Sequence, residues 1–526
     1  MNHAIFLIHS HLSLGDRMKK VCALFVFVTL LSHMTLLGAN QGTQDTTEKP
    51  LVILITSYNN KDWYQKNLDA IFNQKYSNYR VIYIDDCSED GTADLVDKYV
   101  HELNQQDRVS IIKNKTRHFK MNNLWHAIHM CQDNEIIIEY DGDDWFAHNQ
   151  VLQRINDAYK SDIWLTYSNL VSWPNGKSGP NTTIPQDIID TGEFRKFNGC
   201  FWSMLRTFYA WLAKEIALKD LLYEGQFMTR TSDVAIMFPM IEMAGDRFEY
   251  IQEPLYIYNV QTALNDSKVN PVLQKRLELL LRRKPCYPKA TSFHLHKEYE
   301  QAKSDMIIFT HNRPEKLALF LESIRSQMQG LDSIYVYIRS YNSDSYTNII
   351  DAFNKKKSPQ IQMYTIRQDH ESLLTAVDNS KNCYIVIAHE YDCVIDTIEI
   401  PQCIKELEKT KAYGFYMTLP NPRTVSGTTP FIEIDENIVA WQFAFGTDRW
   451  AHPLSSSLTL YKKETIINAI KRLEQNNLDQ LALLGCQSTA ADDDIGLCFC
   501  TPKALDTHLL MDIIAGQSGT FRFINW

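Results

Sequence analysis

The chain lacks a surplus of positive charge: its 526 residues carry 53 Lys and Arg against 63 Asp and Glu, a formal net charge of −10. A surface built to grip nucleic-acid phosphates would need a basic face, so that class of partner is not expected. Paired cysteines are also missing. The eleven cysteines are scattered without a CxxC pair, which argues against both a zinc site and a dense disulfide framework. Cys498 and Cys500 are too few and too close to read as a metal site. Against these absences, apolar content of 44% is enough for folded cores, and the length exceeds what one ordinary core organises, so two domains are expected.

The apolar stretch Val21 to Ala39 follows Met18-Lys19-Lys20. This is the charged-then-apolar order of a secretory signal, and its length also suits a membrane anchor. Residues 1–39 are therefore read as signal peptide or anchor, with the secretory pathway or cell envelope as location. Sequons at Asn114, Asn181 and Asn265 matter only in a eukaryotic secretory pathway.

From Leu51 onward, short apolar runs alternate with amphipathic segments, the pattern of an α/β fold with a largely parallel sheet. Strands are expected over Leu51 to Thr56, Arg80 to Ile84, Val109 to Ile112 and Ile136 to Tyr140. A helix bearing Tyr64, Leu68, Ile71 and Phe72 follows the first. Residues 265–303, with an expected helix Leu273 to Leu281, Arg282-Arg283-Lys284 and prolines at 285 and 288, read as a connector. The rhythm then restarts with a strand Met306 to Thr310 and a helix carrying Leu317, Phe320, Leu321 and Ile324. Landmarks recur at nearly one period: 254 residues from Thr56 to Thr310, 249 from Asp141 to Glu390, 260 from Asp233 to Asp493. That suggests an internal duplication, residues 50–264 and 304–526.

Acids cluster where strands should end: Asp85-Asp86, then Asp141-Gly142-Asp143-Asp144. Adjacent carboxylates repel unless a cation or solvent compensates them, and oxygen ligands at a strand end suit Mg²⁺ or Mn²⁺ holding a diphosphate. In open α/β sheets ligands bind outside the carboxyl ends of the strands. The plainer reading is a solvated acidic turn, since Asp and Gly favour turns.

The segment from Ile55 to Val96, DGDD from Asp141 and TSDVAIMFPMIEMAG from Thr231, in this order and spacing, resemble family 2 glycosyltransferases of the GT-A fold, over roughly residues 50 to 262. The resemblance implies a Rossmann-like, mostly parallel sheet with flanking helices. It implies that Tyr58 stacks on the nucleotide base and Asp86 accepts a hydrogen bond from the base edge. Asp141 would meet the ribose and metal, with Asp143 and then Asp144 as metal ligands. Asp233 would be the base that takes the acceptor proton in an inverting transfer; its plainer role is capping the helix that follows. Ser232 stands where the family often has a second acid. Trp202 and Arg206 would contact the donor as sugar platform and diphosphate partner, although an aromatic stripe there also reads as core. Arg117, Asn122 and Asn123 would line the nucleotide site or cap a helix.

In the second half Arg339-Ser340 replaces Asp85-Asp86, Glu390-Tyr391-Asp392 replaces the metal motif, and Asp492-Asp493-Asp494 could replace the Asp233 region. A degenerate GT-A-like domain that scaffolds the first or binds acceptor is expected, with Trp441 to Phe445 in its core. The whole reads as a metal-dependent inverting glycosyltransferase using a nucleotide sugar, expected to be a UDP-sugar, and a hydroxyl acceptor on a glycan, lipid or protein. The alternatives are a non-catalytic carbohydrate-binding scaffold and a nucleotidyltransferase. Ser57-Tyr58-Asn59-Asn60-Lys61 is not the Gly-rich or basic loop that a triphosphate would want.

Overall fold

The structure is a computed structural model of the chain, and it describes residues 48–262, 269–293, 299, 301–339, 344–355, 359–365, 372–419, 422, 429–455, 457–474 and 494–507. Residues 1–47, with the expected signal or anchor, lie outside the described residues, as do Asn265, Ser340, Asp492 and Asp493. No helix among the described residues is long and apolar enough to cross a membrane. The described residues from Pro50 onward form one compact unit.

The first sheet contains β1 (Leu51–Ser57), β2 (Tyr79–Asp85), β3 (Val109–Lys113), β4 (Ile136–Asp141), β5 (Trp145–Phe146), β6 (Leu165–Trp173), β7 (Arg206–Tyr209) and β8 (Phe248–Asn259). Their order is β3-β2-β1-β4-β7-β6-β8-β5. The four expected strands form its parallel half, each within a residue or two of its expected bounds. The nearly unbroken apolar sequence of β1, β2 and β4 follows from burial on both faces, whereas β3, at the sheet edge, is only partly buried. Val52 and Leu54 pack to one side, and Leu51, Ile53 and Ile55 to the other. Register pairs Ser57 with Asp85 and Thr56 with Asp141. The acidic strand ends therefore emerge at one edge, on either side of β1.

The second sheet contains β9 (Ser304–His311), β10 (Leu331–Arg339), β11 (Gln360–Thr365), β12 (Tyr384–His389), β13 (Gly414–Tyr416), β14 (Ile432–Glu433), β15 (Ile438–Gln442), β16 (Thr459–Lys462) and β17 (Ile495–Phe499). Its order is β11-β10-β9-β12-β16-β13-β17-β15-β14. Through seven positions the chain order and strand directions repeat those of the first sheet: four parallel strands, two reversals and a parallel pair; the eighth strand is antiparallel in both but comes from a different point in the chain. Leu317, Phe320, Leu321 and Ile324 are all buried, as the helical spacing requires. Of the aromatic run, Trp441 and Phe443 are core and Phe445 is exposed.

One apolar core runs continuously from Val52 and Leu54 of the first sheet to Met306 and Ile308 of the second. The connector belongs to this packing. Its helix, Pro271–Arg283, is capped by the Asn270 side chain and buries Leu277 and Leu281, while Arg195 donates to the Leu281 carbonyl and Arg282 to the carbonyls of Arg195 and Phe197. The helix of the expected connector is thus anchored to the first half.

Candidate active site

A cleft of about 470 Å³ opens at the carboxyl edge of the first sheet, with Tyr58, Asp86, Asp141, Asp143, Arg206 and Asp233 among its walls. Residues separated by up to 175 positions in sequence, 58 to 233, meet here because parallel strands deliver their ends to one edge.

The acidic turn is held from beneath. Asn67, buried on the first helix (Tyr64–Phe72), donates through Nδ2 to the carbonyls of Asp141 (2.9 Å) and Asp144 (2.8 Å). Gly142 lies so close to β1 that an added Cβ would stand 2.7 Å from Ser57 Cβ and 2.8 Å from Asn60 Nδ2. Any side chain there would push the acids out of register with β1. The turn presents Asp141 and Asp143 to the cleft. It turns Asp144 inward: this carboxylate is fully buried and accepts the Asn259 N–H at 2.7 Å. Of the two expected metal ligands, then, Asp143 lines the cleft and Asp144 is tied to β8.

Electrostatics distinguish these acids. Burial and the charge of Asp141 push the Asp143 carboxyl up to about 7. Burial, with Asp143 and Asp141 alongside, pushes Asp144 well up too. A carboxylate pair so short of positive charge fits a divalent cation. Part of the compensation is built in, because Lys120 Nζ lies 2.5 Å from Asp141 and 3.1 Å from Glu139.

Glu139 and Lys120 escaped the sequence reading. Glu139 is fully buried in the middle of β4 and receives Arg206 Nε at 2.6 Å and Nη2 at 2.5 Å. Burial alone would raise its pKa, but Arg206 and Lys120 outweigh that and bring it down to about 2. An acid interrupting the buried run Ile136 to Tyr140 was the available signal, because such a charge demands a partner. Lys120 left no comparable trace.

Arg206 sits in the cleft wall with its guanidinium committed to Glu139 and to the Trp202 carbonyl. It supplies a fixed positive field more than a free hand for phosphate. Trp202 packs on Phe201 and Phe238 with Arg282 above its ring, and its loop neighbours Ser203 and Met204 line the cleft in its place. The core reading of this aromatic stripe is the one the geometry matches.

Asp86 closes the other end. Its Oδ1 accepts from the His118 N–H (2.8 Å) and Asn114 Nδ2 (2.9 Å), and its Oδ2 from the Phe119 N–H (2.9 Å). The carboxylate so anchors the start of the helix Phe119–His129. Arg117 lies over the Tyr58 ring at 3.7 Å, which makes the loop after β3 part of the same wall. Asn123 lines the cleft while Asn122 does not.

Asp233 stands in the first turn of the helix Ser232–Ala244, after Thr231 in a left-handed conformation (φ 59°). Its Oδ1 accepts the Val234 N–H at 2.9 Å. Burial raises its pKa and Arg206 opposes the rise. A half-buried carboxyl with a raised pKa, facing a cleft, has the properties of a proton acceptor.

Residues 52–213, in the first half of the chain, match the family described as Glycosyl transferase family 2. Among curated proteins, TuaG of Bacillus subtilis (strain 168), named for teichuronic acid biosynthesis and as a glycosyltransferase, is 40% identical over 55 residues, 10% of this chain and 22% of that protein. EpsE of the same organism, also named as a glycosyltransferase, is 31% identical over 93 residues, 18% of this chain and 32% of its own length. The chain thus spans less than a third of either relative. A solved structure of S. aureus TarS residues 1–349 with UDP-GlcNAc superposes with a TM-score of 0.33 at 14% identity, covering 44% of this chain and 65% of that one.

Proposed function

We propose that the first half of this protein is a metal-dependent, inverting glycosyltransferase that moves a sugar from a nucleotide donor, a UDP-sugar, to a hydroxyl acceptor. The observation that carries this reading is the single cleft that gathers Tyr58 and Asp86 at one end, Asp141 and Asp143 in the middle and Asp233 at the other. In this reading Tyr58 stacks on the base and Asp86 reads its edge while holding the loop after β3. Asp141 and Asp143 hold Mn²⁺ or Mg²⁺, which neutralises charge on the leaving diphosphate. Arg206 and Lys120 add fixed positive field beside it. Asp233 takes the proton from the acceptor hydroxyl. Residues 304–526 act as a scaffold of the same architecture, and the leading segment, residues 1–39, directs export or anchors the chain. The similarity of residues 52–213 to family 2 glycosyltransferases supports the reading.

The test is calorimetric titration of the protein with UDP, with and without Mn²⁺. Binding that needs Mn²⁺ and disappears in Asp143→Ala is expected. Metal-independent binding, or unchanged affinity in that variant, removes the metal assignment.

A further inference from the structure

The helix Pro271–Arg283 has two apolar faces, and only one is covered. Leu277 and Leu281 are buried in the core, with Leu273 and Leu280 packed against it. On the opposite side Val272 is 79% and Leu279 45% exposed, and Val269, just before the helix, is 52% exposed. Arg276 and Arg283 are also exposed. The spacing puts Val272, Arg276, Leu279 and Arg283 in one stripe, at i, i+4, i+7 and i+11. Lys275 borders the stripe and pairs with Glu278 at 3.0 Å; Arg282 shares that glutamate at 2.9 Å. With Lys275, Arg276, Arg282 and Arg283 against Glu278 alone, the helix carries a formal +3 on a chain whose total is −10.

Alternation of large apolar side chains with arginines is the pattern of a helix that lies in a membrane interface. The apolar groups enter the acyl boundary while the guanidinium groups reach the headgroups. A second copy of this chain is a poorer occupant, because a twofold contact would press two cationic stripes together. Gln274, on the covered side of the same helix, lines the cleft, so the helix stands between the cleft and the exposed stripe.

We infer that the exposed face of helix Pro271–Arg283 docks on an anionic lipid bilayer. The docking stands on the stripe itself and does not depend on the transferase reading above.

The experiment uses the chain from Glu48 onward, which keeps the compact unit and removes the leading segment as a rival anchor. Sedimentation with vesicles of phosphatidylcholine and phosphatidylglycerol is compared with phosphatidylcholine alone. Binding to the anionic vesicles, reversed by raised salt, is expected. Val272→Glu with Leu279→Glu should weaken it by roughly tenfold or more, and Arg276→Glu with Arg283→Glu should weaken it and abolish its salt dependence. Both variants should keep the parent's unfolding midpoint and UDP affinity. No vesicle binding by the parent, equal binding by the variants, or a parent dimer that the substitutions dissolve would each overturn the docking. Loss of UDP binding in every protein, with vesicle binding intact, would instead remove the transferase reading and leave the docking surface standing.

Discussion

The two sheets share a strand order and differ in what they do with acids at their carboxyl edges. In the first, Asp141 and Asp143 face the cleft. In the second, Asp392 is spent on the fold. Its Oδ2 accepts the N–H groups of His389 and Leu458 at 3.0 Å each, and its Oδ1 accepts the Ser457 hydroxyl at 2.7 Å. Glu390 accepts the His311 N–H at 3.2 Å. His389, Asp392 and Asp506 have ligand atoms within 4.8 Å of one another, yet Asp392 is already fully hydrogen-bonded within the protein. A shared scaffold therefore leaves open whether an acid serves chemistry or backbone. The choice depends on whether neighbouring N–H groups reach it.

The difference extends beneath the surface. Leu54 of β1 pairs with Glu139, and Ile308 of β9, at the equivalent offset, pairs with Ala388. Across from Glu139 stands Arg206, whereas the residue beyond the Ile387–Thr459 pair is Leu458. The first sheet has a buried ion pair where the second has hydrocarbon. Glu139→Ala, which strands Arg206, should cost about 3–5 kcal/mol in denaturant unfolding. Glu139→Ala with Arg206→Leu imports the second sheet's solution and should recover stability to within about 1–2 kcal/mol of the parent. Its turnover should still peak at higher pH than the parent's, because Asp233 would lose the positive field that holds its pKa down. Failure of the double variant to recover would mean that the two sheets are not interchangeable at this layer.

Asp233→Asn is expected to lower turnover by about a hundredfold or more with UDP affinity unchanged, as read by product formation and titration. Full turnover would move the base elsewhere. The paired control in the second half is Asp392→Asn, which should leave UDP affinity unchanged and cost about 1–3 kcal/mol through unmet buried donors.

The smallest effects are in pH dependence, and the two sheets should show opposite signs. Glu139 has a folded pKa near 2, below its ordinary 4.5, so its contribution is present above about pH 4.5 and is lost as pH falls toward 2. Burial pushes Asp392 up from 3.8 to about 6, so its contribution is greatest below pH 3.8 and is lost as pH rises through 6. Unfolding free energies measured from pH 3 to 7 check both, since Glu139→Ala with Arg206→Leu should flatten the acid limb and Asp392→Asn the neutral one.

Much of this was legible in the sequence. Strands β1 to β4 announce themselves by continuous apolar runs, and the cleft acids by following those runs directly. The repeated order of the second sheet could be suspected from three short landmarks, one of which, Asp493, lies outside the described residues. What stayed hidden depends on partners brought together by the fold. The inward turn of Asp144 follows from the Asn259 N–H on β8 and the Asn67 clamp. Commitment of Arg206 follows from Glu139, 67 residues earlier. Local sequence carries neither.

Lys120 gives the cleft a tethered rival for any cation that approaches Asp141. Its ammonium group is held 2.5 Å from that carboxylate by the helix that bears it, so it competes at an effective concentration set by the fold and not by the solution. A cation reaching Asp141 would have to displace that ammonium, which would still have Glu139 to hold, 3.1 Å away. A cation at Asp141 would therefore bind more weakly than the carboxylate alone allows, because it would first have to displace Lys120.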